Sequence, residues 1–269
     1  KVDAIVGYSW ENNLYADQKS EATNFAVGSM GADNIQSGNL LKIGNVTSSR
    51  NEYKLISLFA RAHYSFKERY MITATVRRDG SSKFGANHKW GTFPSVSAAW
   101  GISQESFMEP TSDWLSNLKI RASYGTTGND MDLSKDPIDK GDAFSYLQKY
   151  QLGENATTKP YGGETGIYNS ALVNTGLRWE QSQSFEAGLD IGFFNNRLSG
   201  TFDAFYRKEV DILGPRTVTL PSTYGQALAP ENYAERSWRG GELALTWMDK
   251  AANGEITYSA YLNLGFARD

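Results

Sequence analysis

The sequence predicts an all-β fold, specifically a segment of an antiparallel transmembrane β-barrel. Three observations predict it: apolar and polar residues alternate with a period of two, the alternating stretches are long, and the connections are short at one end and long at the other. Successive side chains of a strand point to opposite faces of the sheet, so each strand has one apolar and one polar face. A helix, with a period near 3.6 residues, cannot separate the two sets.

About nine strands are predicted in succession. They lie near residues 1–11, 53–67, 69–84, 92–104, 117–128, 177–194, 197–213, 237–248 and 255–268. In the third strand, one face is predicted to carry Tyr70, Ile72, Ala74 and Val76. The opposite face is predicted to carry Met71, Thr73, Thr75 and Arg77. Several stretches exceed the roughly 9 to 11 residues with which a tilted strand crosses a bilayer. Their length favours a barrel over a soluble sheet.

The connections between these strands are asymmetric. Tight turns are predicted at 66–69, 194–197 and 249–254, whereas polar connections occupy 12–51, 85–91, 129–175 and 214–237, of which 85–91 is the shortest. Outer-membrane barrels have short periplasmic turns and long extracellular loops. The asymmetry therefore predicts which end of the sheet faces outward from the cell.

Composition excludes several other classes of protein. There are no cysteines, the formal net charge is −3, the mean hydropathy is −0.50, and no apolar run approaches the length of a transmembrane helix. These values argue against disulfide scaffolds, helical membrane proteins and nucleic-acid binding. Tyr64, Phe66 and Tyr70, beside a short turn, are expected to belong to an aromatic girdle at the lipid interface.

Motifs for catalysis and metal binding are missing from the sequence. His63 and His88 stand outside any H-E-x-x-H pattern, and neither a nucleophile elbow nor a P-loop occurs. The acidic stretch that starts at Asp130 has Lys135 where an EF-hand needs glycine and Gly141 where it needs glutamate. The sequence therefore predicts a protein without enzymatic activity, cofactor or metal, and a solvated acidic loop.

Charged residues on the polar face are the candidates for ligand contact. An Arg or Lys that faces lipid at mid-membrane costs roughly 2 to 4 kcal/mol. The charged residues of the polar face, His63 and Lys119 among them, are therefore expected to point into the barrel. The predicted substrate-binding residues are Arg61, Arg77, Arg121, Glu186, Asp190, Asp203 and the loop aromatics Trp179 and Tyr168. Pairing of the charges with one another, or with a domain inside the barrel, is the open alternative.

Two stretches carry a resemblance to a known family. Residues 78–85 (RDGSSKFG) and 90–100 (WGTFPSVSAAW) resemble the barrel signature of the SusC/RagA family of TonB-dependent outer-membrane transporters. Further matches follow in the order of the family at 114–129, 177–180, 188–198 and 240–243. Within the signature, residues 79–82 are expected to form a bulge or bend, and Pro94 is expected near the end of strand pairing.

The resemblance implies import of an oligosaccharide or oligopeptide across the outer membrane of a Gram-negative bacterium. It further implies a barrel of about 22 strands with a plugged lumen, a TonB-contacting segment, and a SusD-like surface lipoprotein as lid. Bacterial barrels have an even number of strands, so residues 1–269 are expected to be part of a longer barrel, with the plug and the remaining strands outside this chain.

Two other functions fit the alternation. One is a soluble β-sandwich that binds carbohydrate, and the other is a surface adhesin that uses a barrel as its anchor. A sandwich buries its apolar face against a second sheet, whereas a barrel turns it toward lipid. The exposure of Ile72, Leu189, Phe202 and Leu262 separates the two architectures.

Overall fold

Nine long antiparallel strands form one sheet in which neighbours in sequence are neighbours in space. The computed structural model describes residues 1–25, 34–35, 37–38, 46–130, 144–148, 150–152, 160–161, 164–169, 172–214, 221, 228–251 and 255–269. The long strands are β1 (Val2–Ser20), β2 (Val46–Phe66), β3 (Tyr70–Ser81), β4 (Trp90–Gly101), β5 (Leu115–Asn129), β10 (Glu180–Phe193), β11 (Leu198–Gly214), β12 (Glu231–Ala251) and β13 (Ile256–Arg268).

Shorter elements occupy the connections. The link between β5 and β10 contains β6 (Tyr150–Leu152), β7 (Pro160–Tyr161), β8 (Glu164–Thr165) and β9 (Ile167–Asn169). These form two small ladders, β6 with β9 and β7 with β8. Two 3-10 turns, Ile102–Gln104 and Ser106–Thr111, connect β4 to β5. None of the described helical turns has the length and apolar character needed to cross a membrane.

The nine predicted strands are confirmed, but β1 and β2 are longer than the sequence indicated. They have 19 and 21 residues and pair continuously from Val2 opposite Tyr64 to Ser20 opposite Val46. Residues 12–20 and 46–51, predicted as parts of a connection, therefore belong to the hairpin. Nearly all residues of this extension are exposed on both faces, so their sequence shows no apolar alternation. At about 3.3 Å per residue, the hairpin reaches far beyond a bilayer.

The apolar face of the sheet is open. Ile72, Phe202 and Leu262 are 50%, 48% and 47% exposed, and Leu189 is half-buried. No second layer of described residues packs against this face, so the β-sandwich alternative is wrong. In the described part of the chain, β1 and β13 form the two edges of the sheet.

Pro94 marks a split between β4 and β5. Their ladder extends from Gly101 opposite Lys119 to Ser95 opposite Gly125, although both strands continue further. Proline has no N–H to donate to a ladder, and the Thr126 hydroxyl instead donates to the Pro94 carbonyl at 3.2 Å. The ladder ends beside the proline, as the sequence predicted, and the two strands diverge toward the long connections.

Of the bulge or bend predicted at residues 79–82, no bulge forms, and the chain turns only from Ser82 onward. β3 pairs regularly through Ser81, and Gly80 lies directly opposite Trp90. The glycine is needed because the Trp90 ring lies over it, and a Cβ would stand 2.8 Å from ring carbons. An irregularity of this kind lies in β11, where the register with β12 shifts between Glu209 and Ile212 and Asp211 has a φ of 58°.

Candidate functional site

The polar face carries three groups of side chains that differ in chemistry. The ion-pair cluster consists of Lys119, Arg121, Asp190 and Asp203. The hydroxyl belt consists of Thr73, Thr75, Ser95, Ser97, Ser123 and Ser184. The rim cluster, toward the long connections, consists of Phe84, Phe93, Leu177 and Trp179. Regular alternation of the strands places all these strand side chains on one face.

The ion-pair cluster joins β5, β10 and β11. Arg121 Nε lies 2.9 Å from Asp190 Oδ1, and Arg121 Nη1 lies 2.8 Å from Asp203 Oδ1. Lys119 Nζ lies 2.9 Å from Asp190 Oδ2. Two cations thus balance two anions, and the cluster as a whole has no net charge.

Gly188 makes this arrangement possible. It lies on β10 opposite both Arg121 and Asp203, so the Arg121 side chain crosses over it to reach the next strand. A Cβ at this position would stand 2.5 Å from Asp203 Oδ1 and 2.6 Å from Arg121 Cζ. The glycine therefore provides the space for an ion pair between strands that are not neighbours.

The hydroxyl belt leaves open space along the wall. Its small side chains line cavities of about 430 and 290 Å³, with Glu186 at both and Arg61 at the larger one. His63 and Thr73 are joined by a 2.9 Å hydrogen bond. Within the described ranges, neither Arg61 nor Glu186 has an ion-pair partner. Beside the hydroxyl belt, these two charges remain available to a ligand or another domain.

The rim cluster is the best-packed part of the described structure. Trp179 is 6% exposed, and its ring centroid lies 5.3 Å from that of Phe84 and 5.5 Å from that of Phe93. Its indole Nε1 donates to the Lys89 carbonyl at 3.1 Å. The cluster thereby fastens the connection between β3 and β4, and the segment that enters β10, to the wall.

Arg77 lies beside the rim cluster in a fixed geometry. Its Nε donates to both oxygens of Asp79, at 2.8 and 2.7 Å, and its Nη2 donates to the Ser57 hydroxyl at 3.1 Å. Asp79 and Ser57 are 7% and 1% exposed. Burial and charge-assisted hydrogen bonds together hold the guanidinium plane in place.

A second ion pair near the rim cluster, at the end of β5, joins Asp130 to Lys83. The carboxylate of Asp130 accepts a hydrogen bond from the Ser81 hydroxyl at 2.8 Å and lies 3.7 Å from Lys83 Nζ. Asp130 is the one residue of the acidic stretch 130–142 that the structure describes, and the other aspartates of that stretch lie outside the described residues. In the described ranges, no group of three potential metal ligands comes together.

The structure separates the predicted site residues into paired and available groups. Arg77, Arg121, Asp190 and Asp203 are held in ion pairs, which was the open alternative for the charges. Trp179 is packed in the rim cluster and does not present its faces as an exposed platform, because loop and strand aromatics cover it. Arg61 and Glu186 face the belt, and their contact with substrate stays a prediction.

Tyr168 lies in β9, where its backbone pairs with Gln151, and its side chain lies outside the described part of the structure. Sequence reasoning missed Phe93 and Gly188 as determinants of the polar face. Phe93 belongs to the signature run and falls in the polar parity of β4. An aromatic residue in that parity was the available signal, whereas the role of Gly188 depends on strand register.

At the end with short turns, Glu105 joins aromatic residues of the apolar face. Its carboxylate accepts hydrogen bonds from Tyr70 Oη at 2.6 Å and Trp100 Nε1 at 3.1 Å, and it lies 3.2 Å from Arg69 Nη1. These hydrogen bonds hold the pKa of Glu105 below its ordinary value, with Arg69 adding to the effect. Tyr70 and Trp100 stack with their ring centroids 6.4 Å apart.

A single sheet with an exposed apolar face, paired charges on the other face and short turns at one end is the wall of a transmembrane β-barrel. Residues 2–268 match the family model described as TonB dependent receptor-like, beta-barrel. The chain belongs to this family.

Individual relatives support the SusC/RagA resemblance. The TonB-dependent receptor SusC of Bacteroides thetaiotaomicron is 33% identical over 200 residues, which are 71% of this chain and 19% of that protein. The TonB-dependent receptor P3 of Formosa agariphila is 31% identical over 257 residues, which are 96% of this chain and 24% of that protein. The chain thus spans a quarter or less of the length of these relatives.

Among solved structures, the RagAB peptide importer in its open-open state matches with a TM-score of 0.79 and 25% identity. The match covers 99% of this chain and 27% of that chain. The resemblance predicted from the signature residues is confirmed by these comparisons.

Proposed function

We propose that this chain is part of the barrel wall of a TonB-dependent importer in the outer membrane of a Gram-negative bacterium. The observation that carries the proposal is the sorting of side chains in the described sheet, with apolar residues exposed on one face and charged and hydroxyl side chains on the other. Such sorting suits a wall between lipid and a wet interior. The family match across residues 2–268 supports the same function.

The imported substrate is an oligosaccharide or an oligopeptide. The solved relative RagAB is a peptide importer, and the hydroxyl belt offers neutral hydrogen-bonding groups that suit either polymer. Arg61 and Glu186, at the edges of the belt, are the residues that we assign to contact with substrate or with a plug. The plug, the segment that contacts TonB and the remaining strands of a barrel of about 22 strands lie outside this chain.

A SusD-like surface lipoprotein serves as the lid of the importer. The long hairpin of β1 and β2 and the extended ends of β11 and β12 project on the side of the long connections. Exposed on both faces, the hairpin has room for a protein partner outside the membrane.

Deletion of the full-length gene tests the proposal. We expect the mutant to lose uptake of one class of oligosaccharide or oligopeptide, and a plasmid copy to restore it in cells with TonB but not in cells without it. Uptake is measured with labelled polymers of each class. Affinity purification of the tagged full-length protein from outer membranes is expected to recover a lipoprotein.

Three results would contradict the proposal. Unchanged uptake of all polymers, together with lost attachment of cells to a surface, would favour the adhesin. Uptake that persists in cells without TonB would contradict energy coupling through that protein. Recovery of the full-length protein from the soluble fraction would contradict the barrel in the membrane.

A further inference from the structure

A cavity of about 470 Å³ opens on the polar face where β4 and β5 diverge. Since the ladder between these strands ends at Ser95 and Gly125, the backbones beyond that point separate and leave space between them. Phe93 fills part of the space, and its ring lies directly over Gly128. The rest is the cavity, hereafter the rim cavity, in the size range of small-molecule sites.

Each charged residue that lines the rim cavity has an ion-pair partner. Arg77 pairs with Asp79 across the lining, and Asp130 pairs with Lys83, which lies just outside it. An ionic ligand would have to compete with one of these pairs and meet the like charge of the other partner. The cavity is therefore suited to an uncharged ligand.

Hydrogen-bonding groups remain available around this neutral space. Arg77, Thr75, Ser95 and Thr127 line the cavity. Among the described residues, Arg77 Nη1 and the three hydroxyls have no hydrogen-bond partner. Phe93 and Trp179, both largely buried in the rim cluster, border the cavity with the small part of their surface that stays exposed. Fixed donors next to an apolar surface match a sugar ring, which has hydroxyls at its edge and C–H groups on its faces.

Extending the proposed import function, we propose that the rim cavity binds the terminal unit or a side branch of a neutral oligosaccharide. A local pocket in the wall receives an end or a branch of a polymer rather than its middle. The end of an unmodified peptide carries a charge, for which the cavity has no unpaired partner in the described structure. The non-reducing end of a neutral glycan carries none, so the sugar fits better than the peptide.

The test uses the purified full-length protein in detergent and isothermal titration with maltohexaose, cellohexaose, an inulin hexamer, an oligogalacturonate hexamer and hexa-alanine. Thr127→Val removes a cavity hydroxyl at nearly constant size, and Arg77→Lys keeps the charge opposite Asp79 but loses the guanidinium donors. Thr92→Val is the matched control, because Thr92 lies exposed in the apolar parity of β4. Thermal melting of each variant checks the fold.

We expect at least one neutral oligosaccharide to bind, and each cavity variant to weaken it by about threefold to tenfold, the range for one hydrogen bond. Thr92→Val leaves binding unchanged. Binding of the acidic oligosaccharide or the peptide alone overturns the proposal, as does equal affinity of the cavity variants and the control, or a lower melting temperature with unchanged binding. If none of the probes binds, the sugar assignment is wrong, while the uptake assay reports separately on import itself.

Discussion

The rim cluster and the ion-pair cluster both join strands across the polar face, but they do so by different physics. In the rim cluster Phe84, Phe93, Leu177 and Trp179 are each less than 7% exposed, and the contacts are apolar. In the ion-pair cluster the side chains are 16% to 35% exposed, and the contacts are charged. Apolar burial gains free energy with every carbon removed from water, whereas water screens partly exposed charges.

The difference indicates a division of roles. The rim cluster stabilises the end of the sheet where the ladder between β4 and β5 has stopped, so side-chain packing replaces backbone pairing there. The ion-pair cluster lies where ladders are complete, and it fixes the geometry of a wet surface. We therefore expect mutations in the rim cluster to affect stability more than mutations in the ion-pair cluster.

Trp179→Ala is expected to give the largest effect. Truncating a buried aromatic residue costs about 3 to 5 kcal/mol, and the loss also removes the hydrogen bond to the Lys89 carbonyl. Urea unfolding of the full-length protein in lipid measures the change. Trp90→Ala is the control, because Trp90 is 46% exposed on the apolar face of the same rim. An equal loss for both variants would refute the special packing of the rim cluster.

Asp190→Asn is expected to have a smaller effect, about 1 to 2 kcal/mol, because it removes the charge that Lys119 and Arg121 share while water still screens them. Asp203→Asn serves as comparison and should cost less, since Arg121 keeps its contact with Asp190. The same unfolding assay measures both. A larger loss of stability for Asp203→Asn than for Asp190→Asn would mean that Asp203, and not Asp190, is the central carboxylate of the cluster.

Gly188→Ala sharpens the comparison without altering any charge. The new Cβ lies 2.5 Å from Asp203 Oδ1, so the ends of two side chains must shift, at a cost of about 1 kcal/mol. Gly265→Ala is matched to it, since its Cβ would meet Glu242 at an ordinary 3.8 Å. If the two alanine variants melt at the same temperature, the crossing of Arg121 over Gly188 does not contribute to stability.

Glu105→Gln extends the comparison to the apolar face and is expected to have the smallest effect. Hydrogen bonds from Tyr70 and Trp100 lower the pKa of Glu105 in the folded protein. The resulting stabilisation is present above the ordinary glutamate pKa of about 4.3, and it is lost as pH falls through the lowered folded value.

Melting temperatures at several pH values test this expectation. Wild type should exceed Glu105→Gln at pH 7, and the difference should shrink toward pH 3. Glu109→Gln, at an exposed position of the same connection, is the control and should show no such trend. A difference that is constant across pH would contradict a role for the charge of Glu105.

The presence of the strands, and the face on which each side chain lies, were predictable because the alternation of apolar and polar residues is visible in any short stretch of the chain. Ile72 and Phe202 alternate with polar neighbours, and the structure exposes both. The ends of β1 and β2 were not predictable, since strands wet on both faces need no apolar alternation. The pairing of Arg121 with Asp190 and Asp203 depends on the register of three strands, which no local pattern specifies. The burial of Trp179 likewise requires contacts from residues far away in sequence.

Rings that lie over glycines have a consequence for assembly of the sheet. Trp90 covers Gly80 on the adjacent strand, and Phe93 covers Gly128 across the split. If either strand slipped by one residue, a bulky ring would meet a side chain instead of bare backbone, and every apolar residue of that strand would change face. We therefore expect such pairs to disfavour slipped registers when the sheet assembles, and natural variation at the glycine and at its ring to occur jointly.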